Sequence, residues 1–207
     1  MAPAVSSGSE YAKQLEIDRR EKDHFFKEHP QSPIPWALRD AFAGLAYFPP
    51  TPKYSLKVKL NPYPKPETVV LATSKGVPRN MLKWGYFDFT IDGQTRRLQA
   101  YKSIPAPGQH EEESLFVPFR DATSGKESYP AARYLDLPLS KTDEYVLDFN
   151  LAYNPYCAYS EDYVCPFPPR ENWLDIRIEA GEKDFPLTNL KDELAKKGEP
   201  AGHQHHH

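Results

Sequence analysis

The residues best suited to binding or chemistry are concentrated in one stretch of the 207-residue chain, residues 148–165. The stretch starts as a strand pattern and continues as a loop that is rich in tyrosine and stiffened by proline. Asp148 and Asn150 alternate with Phe149 and Leu151, so both polar side chains point to the same face of the predicted strand. That face is either solvated or part of a polar barrel interior, which is the kind of surface that orients small ligands.

Two arginines upstream of this stretch are the candidate anion-holding groups. The planar guanidinium of Arg120 or Arg133 presents a fork of donors that suits a carboxylate or a phosphate. The alternative is internal pairing with an aspartate at 121, 136 or 148, because structural ion pairs resemble binding sites. With the site placed where the Tyr-rich loop 153–165 meets the arginines, the predicted ligand-binding residues are Arg120, Arg133, Asp148, Asn150, Tyr153, Asn154 and Tyr156.

The two cysteines of the chain, Cys157 and Cys165, are separated by seven residues. A metal site needs two more ligands than this pair supplies, so the sequence predicts no metal site. Three interpretations stay open for the pair: buried thiols, a disulfide in an oxidising compartment, or a nucleophilic Cys157 with a base nearby. The sequence does not indicate a cofactor.

Composition and charge argue against several classes of protein. The net charge is −3 and no stripe of lysine or arginine is present, so a nucleic-acid binder is not expected. No apolar run approaches the roughly 20 residues of a membrane-spanning helix. The first ten residues lack the apolar centre of a signal peptide, which predicts a cytoplasmic protein. Thr123–Lys126 lacks the leading glycine of a phosphate loop and fits a tight turn better.

The pattern of apolar residues predicts helices at the ends of the chain and strands between them. A surface helix is expected over residues 10–28, ended by His29-Pro30, and shorter helices over 35–43 and 187–196. Asp92-Gly93 predicts a two-residue hairpin turn. The proline cluster at 62–66 predicts an ordered loop. Strands are expected at 54–60, 67–73, 86–91, 94–101, 114–119, 144–151 and 173–179.

This arrangement favours a mainly β fold, an antiparallel barrel or curved sandwich with an N-terminal helical arm and a short C-terminal helix. Residues 1–9 are predicted to be disordered, and residues 10–198 to form a single β-rich domain. The tail 199–207, which ends in four histidines and a glutamine, resembles a purification tag.

Several longer motifs resemble a known family. They are Val117–Lys126, Arg133–Asp136, Asp148–Tyr159 and Glu179–Lys183, with Lys22–Phe26 and Phe42–Phe48 near the start. Over about residues 10–185 the chain resembles the DUF1684 proteins. That resemblance implies a family without an assigned activity. Because His24 lies within one of the motifs that carry the resemblance, it is the candidate base for a nucleophilic Cys157.

The sequence therefore predicts a protein that binds a small polar or anionic molecule in a pocket beside the Tyr-rich loop. One alternative is a hydrolase or acid–base enzyme that uses Cys157 or Asp148, helped by His24 or Lys22. Another is a protein-interaction module, for which formation of a homo-oligomer stays open.

Overall fold

The computed structural model describes residues 8–105, 108 and 113–196. The predicted disordered start and tag-like tail lie outside these residues, except that Gly8 and Ser9 already belong to the first helix. The helices and strands are α1 (Gly8–Glu28), α2 (Trp36–Arg39), β1 (Ser55–Leu71), β2 (Arg79–Ile91), β3 (Gln94–Ser103), β4 (Ser114–Phe119), β5 (Arg133–Pro138), β6 (Glu144–Asp148) and α3 (Thr188–Lys196).

The six strands form one antiparallel sheet in the order β5-β4-β3-β2-β1-β6. The sheet curves until its two end strands, β5 and β6, approach each other, which makes a nearly closed barrel. The helical arm precedes the barrel and the short helix follows it. The predicted fold class is confirmed, and of its two forms the structure adopts the barrel.

The β2–β3 hairpin supplies much of the barrel core. Phe87, Phe89 and Ile91 lie on one face of β2 and are buried, as their alternation with polar residues predicts. Asp92 and Gly93 both have positive φ, of 51° and 74°, which is the geometry of the two-residue turn that matches strand twist. The hairpin predicted from Asp-Gly is therefore confirmed.

The proline cluster at 62–66 lies inside a strand, so the prediction of a loop there was wrong. β1 runs unbroken for 17 residues and joins the two predicted strands. Its first residues pair with β6 and its later ones with β2, with a register shift between Pro62 and Glu67. The three prolines alternate along the strand, so the N–H groups they lack would all point to one side of it. The strand tolerates them because the ladder is interrupted there.

Two further predictions about strands were wrong. Residues 173–179 are extended and alternate buried with exposed side chains, but they do not join the sheet. Their backbone bonds to the segment after β4, where the Ala122 N–H donates to Ile176 O at 2.9 Å. The predicted strand at 144–151 ends at Asp148, whose carboxylate caps a 3₁₀ turn over Phe149–Leu151.

Strand β5 was not predicted from the sequence. The predicted second helix, 35–43, is reduced to α2.

A second apolar cluster fastens the helices to the barrel. It joins Phe26 of α1 and Leu38 of α2 to Tyr159 of the Tyr-rich loop and to Phe185. On α1 only Leu15 and Phe26 are buried, as expected for a surface helix. The helix is otherwise held by polar contacts, which become important at the candidate site.

Arg133 is the most deeply buried cation in the described part of the chain. Its side chain is 1% exposed and lies 3.1 Å from the carboxylate of Asp121. The guanidinium also donates to the carbonyls of Ile178, Ala180 and Glu182. Asp121 in turn accepts the N–H of Ile178 at 2.7 Å. The pair therefore ties the segment 178–182 to β5 and to the turn after β4.

We expect Arg133→Met to lower the free energy of unfolding by about 3–5 kcal/mol, because it leaves a buried carboxylate and several carbonyls without partners. Urea unfolding monitored by fluorescence measures the change. Arg97→Met is the matched control, because Arg97 pairs with Asp88 on the exposed face of the hairpin and should change stability little. Equal losses from the two variants would contradict this role of Arg133.

Candidate functional site

A cavity of about 160 Å³ lies between α1 and the segment that follows β6. We call it the α1 cavity. Four of its residues come from α1, one from the chain before β1, four from the segment after β6 and one from the segment after Gly181. They are Leu15, Asp18, Arg19, Lys22, Tyr47, Asn150, Leu151, Ala152, Tyr153 and Glu182.

Glu182 is a buried carboxylate at the inner wall of this cavity. It accepts hydrogen bonds from Lys22 at 2.5 Å, from the Asn154 backbone at 2.7 Å and from the Tyr159 hydroxyl at 2.8 Å. Burial, and next the charge of Glu182, raise the pKa of Tyr159, so this hydroxyl stays protonated and donates. The charge of Glu182 is thus compensated within the protein.

Gly181 allows Glu182 to reach this position. Its φ is +75°, and a Cβ there would lie 2.5 Å from the carbonyl oxygen of Ala152 and 2.7 Å from that of Phe149. The close approach lets the Glu182 N–H donate to Ala152 O at 2.8 Å. Any side chain at 181 would push the segment away from the cavity.

Arg19 and Tyr47 carry donors that the protein does not use. The Arg19 guanidinium stacks over the Tyr47 ring at 4.3 Å, and its Nη1 donates to Phe48 O at 3.1 Å. Its Nε and Nη2, together with the Tyr47 hydroxyl, are buried and have no hydrogen-bond partner within residues 8–105, 108 and 113–196. Burial lowers the pKa of Arg19 and raises that of Tyr47, but arginine stays charged.

Such unmade hydrogen bonds are costly. A buried donor without a partner costs about 1–3 kcal/mol, and more when it is charged. Here they occur together on two side chains that line one cavity. Two cations line the cavity. Lys22 forms an ion pair with Glu182, whereas Arg19 has no hydrogen bond to a buried carboxylate among the described residues. Asp18, the other acidic residue of the lining, is exposed at the rim. The arrangement suits an oxyanion.

Four of the seven predicted ligand-binding residues lie at the α1 cavity or directly behind its lining. Asn150 and Tyr153 line it. Asn154 lies behind Glu182, its backbone N–H bonded to that carboxylate. Asp148 is buried beside Asn150, whose side-chain amide donates to it at 2.9 Å, and it also accepts the hydroxyl of Tyr11 on α1.

The other three predicted residues lie elsewhere. Arg133 is inside the protein, paired with Asp121, which was one of the internal partners that the sequence offered. The guanidinium of Arg120 packs over the ring of Trp173 at 4.4 Å. Tyr156 is exposed and packs edge-on against Tyr163. Ligand contacts by these three side chains stay predictions.

The catalytic candidates are also separated from one another. Cys157 is buried next to Cys165, and the Tyr129 hydroxyl lies 3.6 Å from its sulfur. His24 is exposed on α1, and the hydrogen bonds of Cys157 and Asp148 within the described residues go to other partners. The structure therefore does not form a Cys–His pair from these residues.

Sequence reasoning did not single out Arg19, Tyr47 or Glu182 as site residues. Glu182 and Tyr47 belong to motifs that carry the family resemblance, Glu179–Lys183 and Phe42–Phe48, so that signal was present. Arg19 is one of many charged residues on a surface helix, and no feature of the sequence distinguishes it.

A second, larger concavity of about 300 Å³ lies beyond Tyr153 on the outer face of the sheet. Its floor is formed by Met81, Phe116 and Tyr134. Two of its hydroxyls already bond within the protein, since Tyr134 donates to Pro166 O and Tyr153 donates to Asp136, and none of its polar atoms is among the buried ones without a partner. The unused donors therefore favour the α1 cavity as the candidate site.

Comparisons with known proteins agree with the family resemblance. A family model described as a protein of unknown function (DUF1684) matches residues 40–183, which confirms the resemblance.

The fold is similar to the solution NMR structure of an uncharacterized protein from Haloarcula marismortui. The two are 44% identical, with a TM-score of 0.64 over 84% of this chain and 95% of that one. A search of curated proteins found no match. No helix in the described residues is long and apolar enough to cross a membrane.

Asp23 joins α1 to the chain next to the cavity. Its Oδ1 accepts the N–H of Leu45 at 2.9 Å. Burial, and to a lesser degree the charge of Glu182, raise the pKa of this carboxyl. The folded state therefore binds the proton more tightly than the unfolded state, so ionised Asp23 lowers stability and protonated Asp23 does not.

We expect Asp23→Asn to be more stable than the wild-type protein near pH 7, because the amide keeps the acceptor and removes the charge. The difference should shrink as pH falls through the raised pKa and vanish below about pH 3, where the wild-type carboxyl is protonated in both the folded and the unfolded state. Urea unfolding across this range measures it. Asp88→Asn is the control of opposite sign, because Arg97 lowers the pKa of Asp88. A variant less stable than wild type at pH 7 would contradict the expectation.

Proposed function

The chain belongs to the DUF1684 family, and from that premise we propose that it binds a small molecule bearing a carboxylate or phosphate in the α1 cavity. The observation that carries the proposal is the set of unused donors on Arg19 and Tyr47. Three buried donors without partners, on two stacked side chains beside one cavity, are costly unless a ligand satisfies them.

The ligand class follows from donor chemistry. Each of the three unused groups on Arg19 and Tyr47 can donate, so the ligand must supply acceptor oxygens to them. The guanidinium offers two adjacent N–H groups, a geometry that matches two oxygens of a carboxylate or phosphate. The Tyr47 hydroxyl, whose pKa is raised by burial, adds a neutral donor. A cation would meet Arg19 and Lys22 and is disfavoured.

The size of the ligand follows from the cavity. A volume of about 160 Å³ is small compared with the range of drug-sized pockets, and a water molecule occupies about 30 Å³ in the liquid. There is room for a phosphate ion or for a short mono- or dicarboxylic acid. Leu15, Leu151 and Ala152 provide apolar wall for a short carbon chain.

Binding is favoured over catalysis because the acidic groups near the cavity already have partners. Lys22, Tyr159 and the Asn154 N–H bind Glu182, while Asn150 and Tyr11 bind Asp148. A general base must reach the proton it abstracts, and these carboxylates are held by internal donors instead. The proposal is therefore of a binding site, with Arg19 holding the anion and Tyr47 orienting it.

We expect Arg19→Gln to abolish anion-dependent stabilisation. The probes are inorganic phosphate, acetate, malonate and succinate, and thermal unfolding is measured against probe concentration. A site that is specific for one of these should add about 2.7 kcal/mol at a hundredfold excess over Kd. Arg20→Gln, a change of the adjacent exposed residue, is the matched control and should respond like wild type.

The comparison between variants is necessary because phosphate stabilises folded proteins generally by exclusion from their surfaces. That general effect is the same for wild type, Arg19→Gln and Arg20→Gln. If wild type gains no more stability than Arg19→Gln with any of the four probes, the proposed site is wrong.

Tyr47→Phe separates a ligand-binding hydroxyl from a structural one. The variant removes a buried hydroxyl that has no partner, so the free protein should be at least as stable as wild type, while stabilisation by the anion should fall. Tyr134→Phe is the control, because its hydroxyl bonds to Pro166 O, so its loss should cost about 1 kcal/mol and leave anion binding unchanged. A Tyr47→Phe protein that is destabilised but binds normally would reverse this assignment.

A further inference from the structure

Cys157 and Cys165 lie next to each other and are held by different parts of the fold. The backbone N–H of Cys157 donates to the Cys165 sulfur at 3.3 Å, and both cysteines are buried free thiols. Cys157 belongs to the 3₁₀ turn Tyr156–Ala158. Cys165 is fixed to Ser74 by two hydrogen bonds of its backbone, at 3.0 and 3.1 Å. The 3₁₀ turn on one side and the hydrogen bonds to Ser74 on the other therefore hold the two sulfurs next to each other.

The surroundings of the two sulfurs differ in a way that assigns them different roles. The Tyr129 hydroxyl lies 3.6 Å from the Cys157 sulfur. Burial raises the pKa of Tyr129, so its hydroxyl keeps its proton and is the donor of this hydrogen bond when Cys157 is a thiolate. The hydrogen bond from Cys165 is the main cause that lowers the pKa of Cys157, while the pKa of Cys165 is raised. Cys157 is the better thiolate and Cys165 the better proton-bearing partner.

We propose that Cys157 and Cys165 form a peroxide-reducing dithiol, with Cys157 as the attacking sulfur and Cys165 as the resolving sulfur. The Cys157 thiolate attacks one oxygen of the peroxide, the O–O bond breaks, and the other oxygen leaves and takes a proton. Cys157 is then a sulfenic acid. The Cys165 sulfur displaces its hydroxyl as water, and a disulfide forms. The peroxide gains two electrons, which the two thiols lose.

The burial of both cysteines limits which peroxide can react. Cys157 and Cys165 keep 8% and 6% of their surface exposed, and their neighbours Tyr156 and Val164 are exposed, so the pair lies close to the protein surface. Hydrogen peroxide is nearly as small as water and fits this access better than a bulky organic peroxide. In a reducing cytosol, the compartment predicted from the sequence, the resting state is the dithiol.

The test treats the fully reduced, full-length protein with hydrogen peroxide and follows its intact mass and peptide map. Wild type should lose the mass of two hydrogens and yield a peptide linked through Cys157 and Cys165. Near pH 7 the reaction should be roughly tenfold faster than that of free cysteine, which is only a few per cent thiolate. Cys165→Ser should instead gain one oxygen on Cys157 and react with a sulfenic-acid probe.

Two further variants identify the attacking sulfur. Cys157→Ala should react no faster than free cysteine, and Tyr129→Phe should slow the first step while Cys165 still resolves it. Circular dichroism of each variant checks that it is folded. The proposal is overturned if wild-type protein reacts no faster than the same chain unfolded in urea. It is also overturned if folded Cys157→Ala reacts as fast as wild type, or if wild type gains oxygens without losing hydrogens.

Discussion

The buried pair of Arg133 and Asp121 is the constraint on which the candidate site depends. A buried arginine needs partners for its charge, and here the two terminal nitrogens of Arg133 bond to one carboxylate and to three carbonyls of the segment 178–182. That segment is not a strand of the sheet, and three of its carbonyls accept hydrogen bonds from this arginine. The pair fixes it against β5, and in doing so positions Glu182 at the wall of the α1 cavity.

From Glu182 the polar contacts continue outward to the helical arm. Lys22 binds Glu182, Asp23 binds the Leu45 N–H, and Tyr11 binds Asp148, so α1 is attached by polar groups at three levels along its length. A helix with two buried apolar residues gains little from the hydrophobic effect, which makes these contacts important. Arg19 lies on the same side of the helix, yet most of its donors are left unused. Arg19 and Tyr47 together carry three such atoms beside one cavity, which is why we place the proposed ligand there.

The Tyr-rich loop serves both the cavity and the cysteine pair. Tyr153 lines the cavity, Tyr159 donates to Glu182, and Cys157 lies between them in sequence. Prolines and 3₁₀ turns hold the loop without a regular ladder, while Ser74 fixes its end. Both proposed sites thus rely on one rigid irregular segment, which agrees with the general tendency of functional residues to lie on loops supported by a scaffold.

The sequence by itself determined the features that depend on local periodicity and turn chemistry. These were α1 with its end at His29-Pro30, the Asp-Gly hairpin, the buried face of β2 and the mainly antiparallel β fold. It also directed attention to the stretch that contains Asn150 and Tyr153, two residues that line the α1 cavity. Only the tertiary structure decided the rest. Arg133 pairs with Asp121 and not with an external anion, and Arg19 stacks on Tyr47. Both outcomes depend on contacts between segments that are separate in the chain. Local pattern contains no information about such contacts, because they are set by how the barrel closes and where the helical arm packs on it.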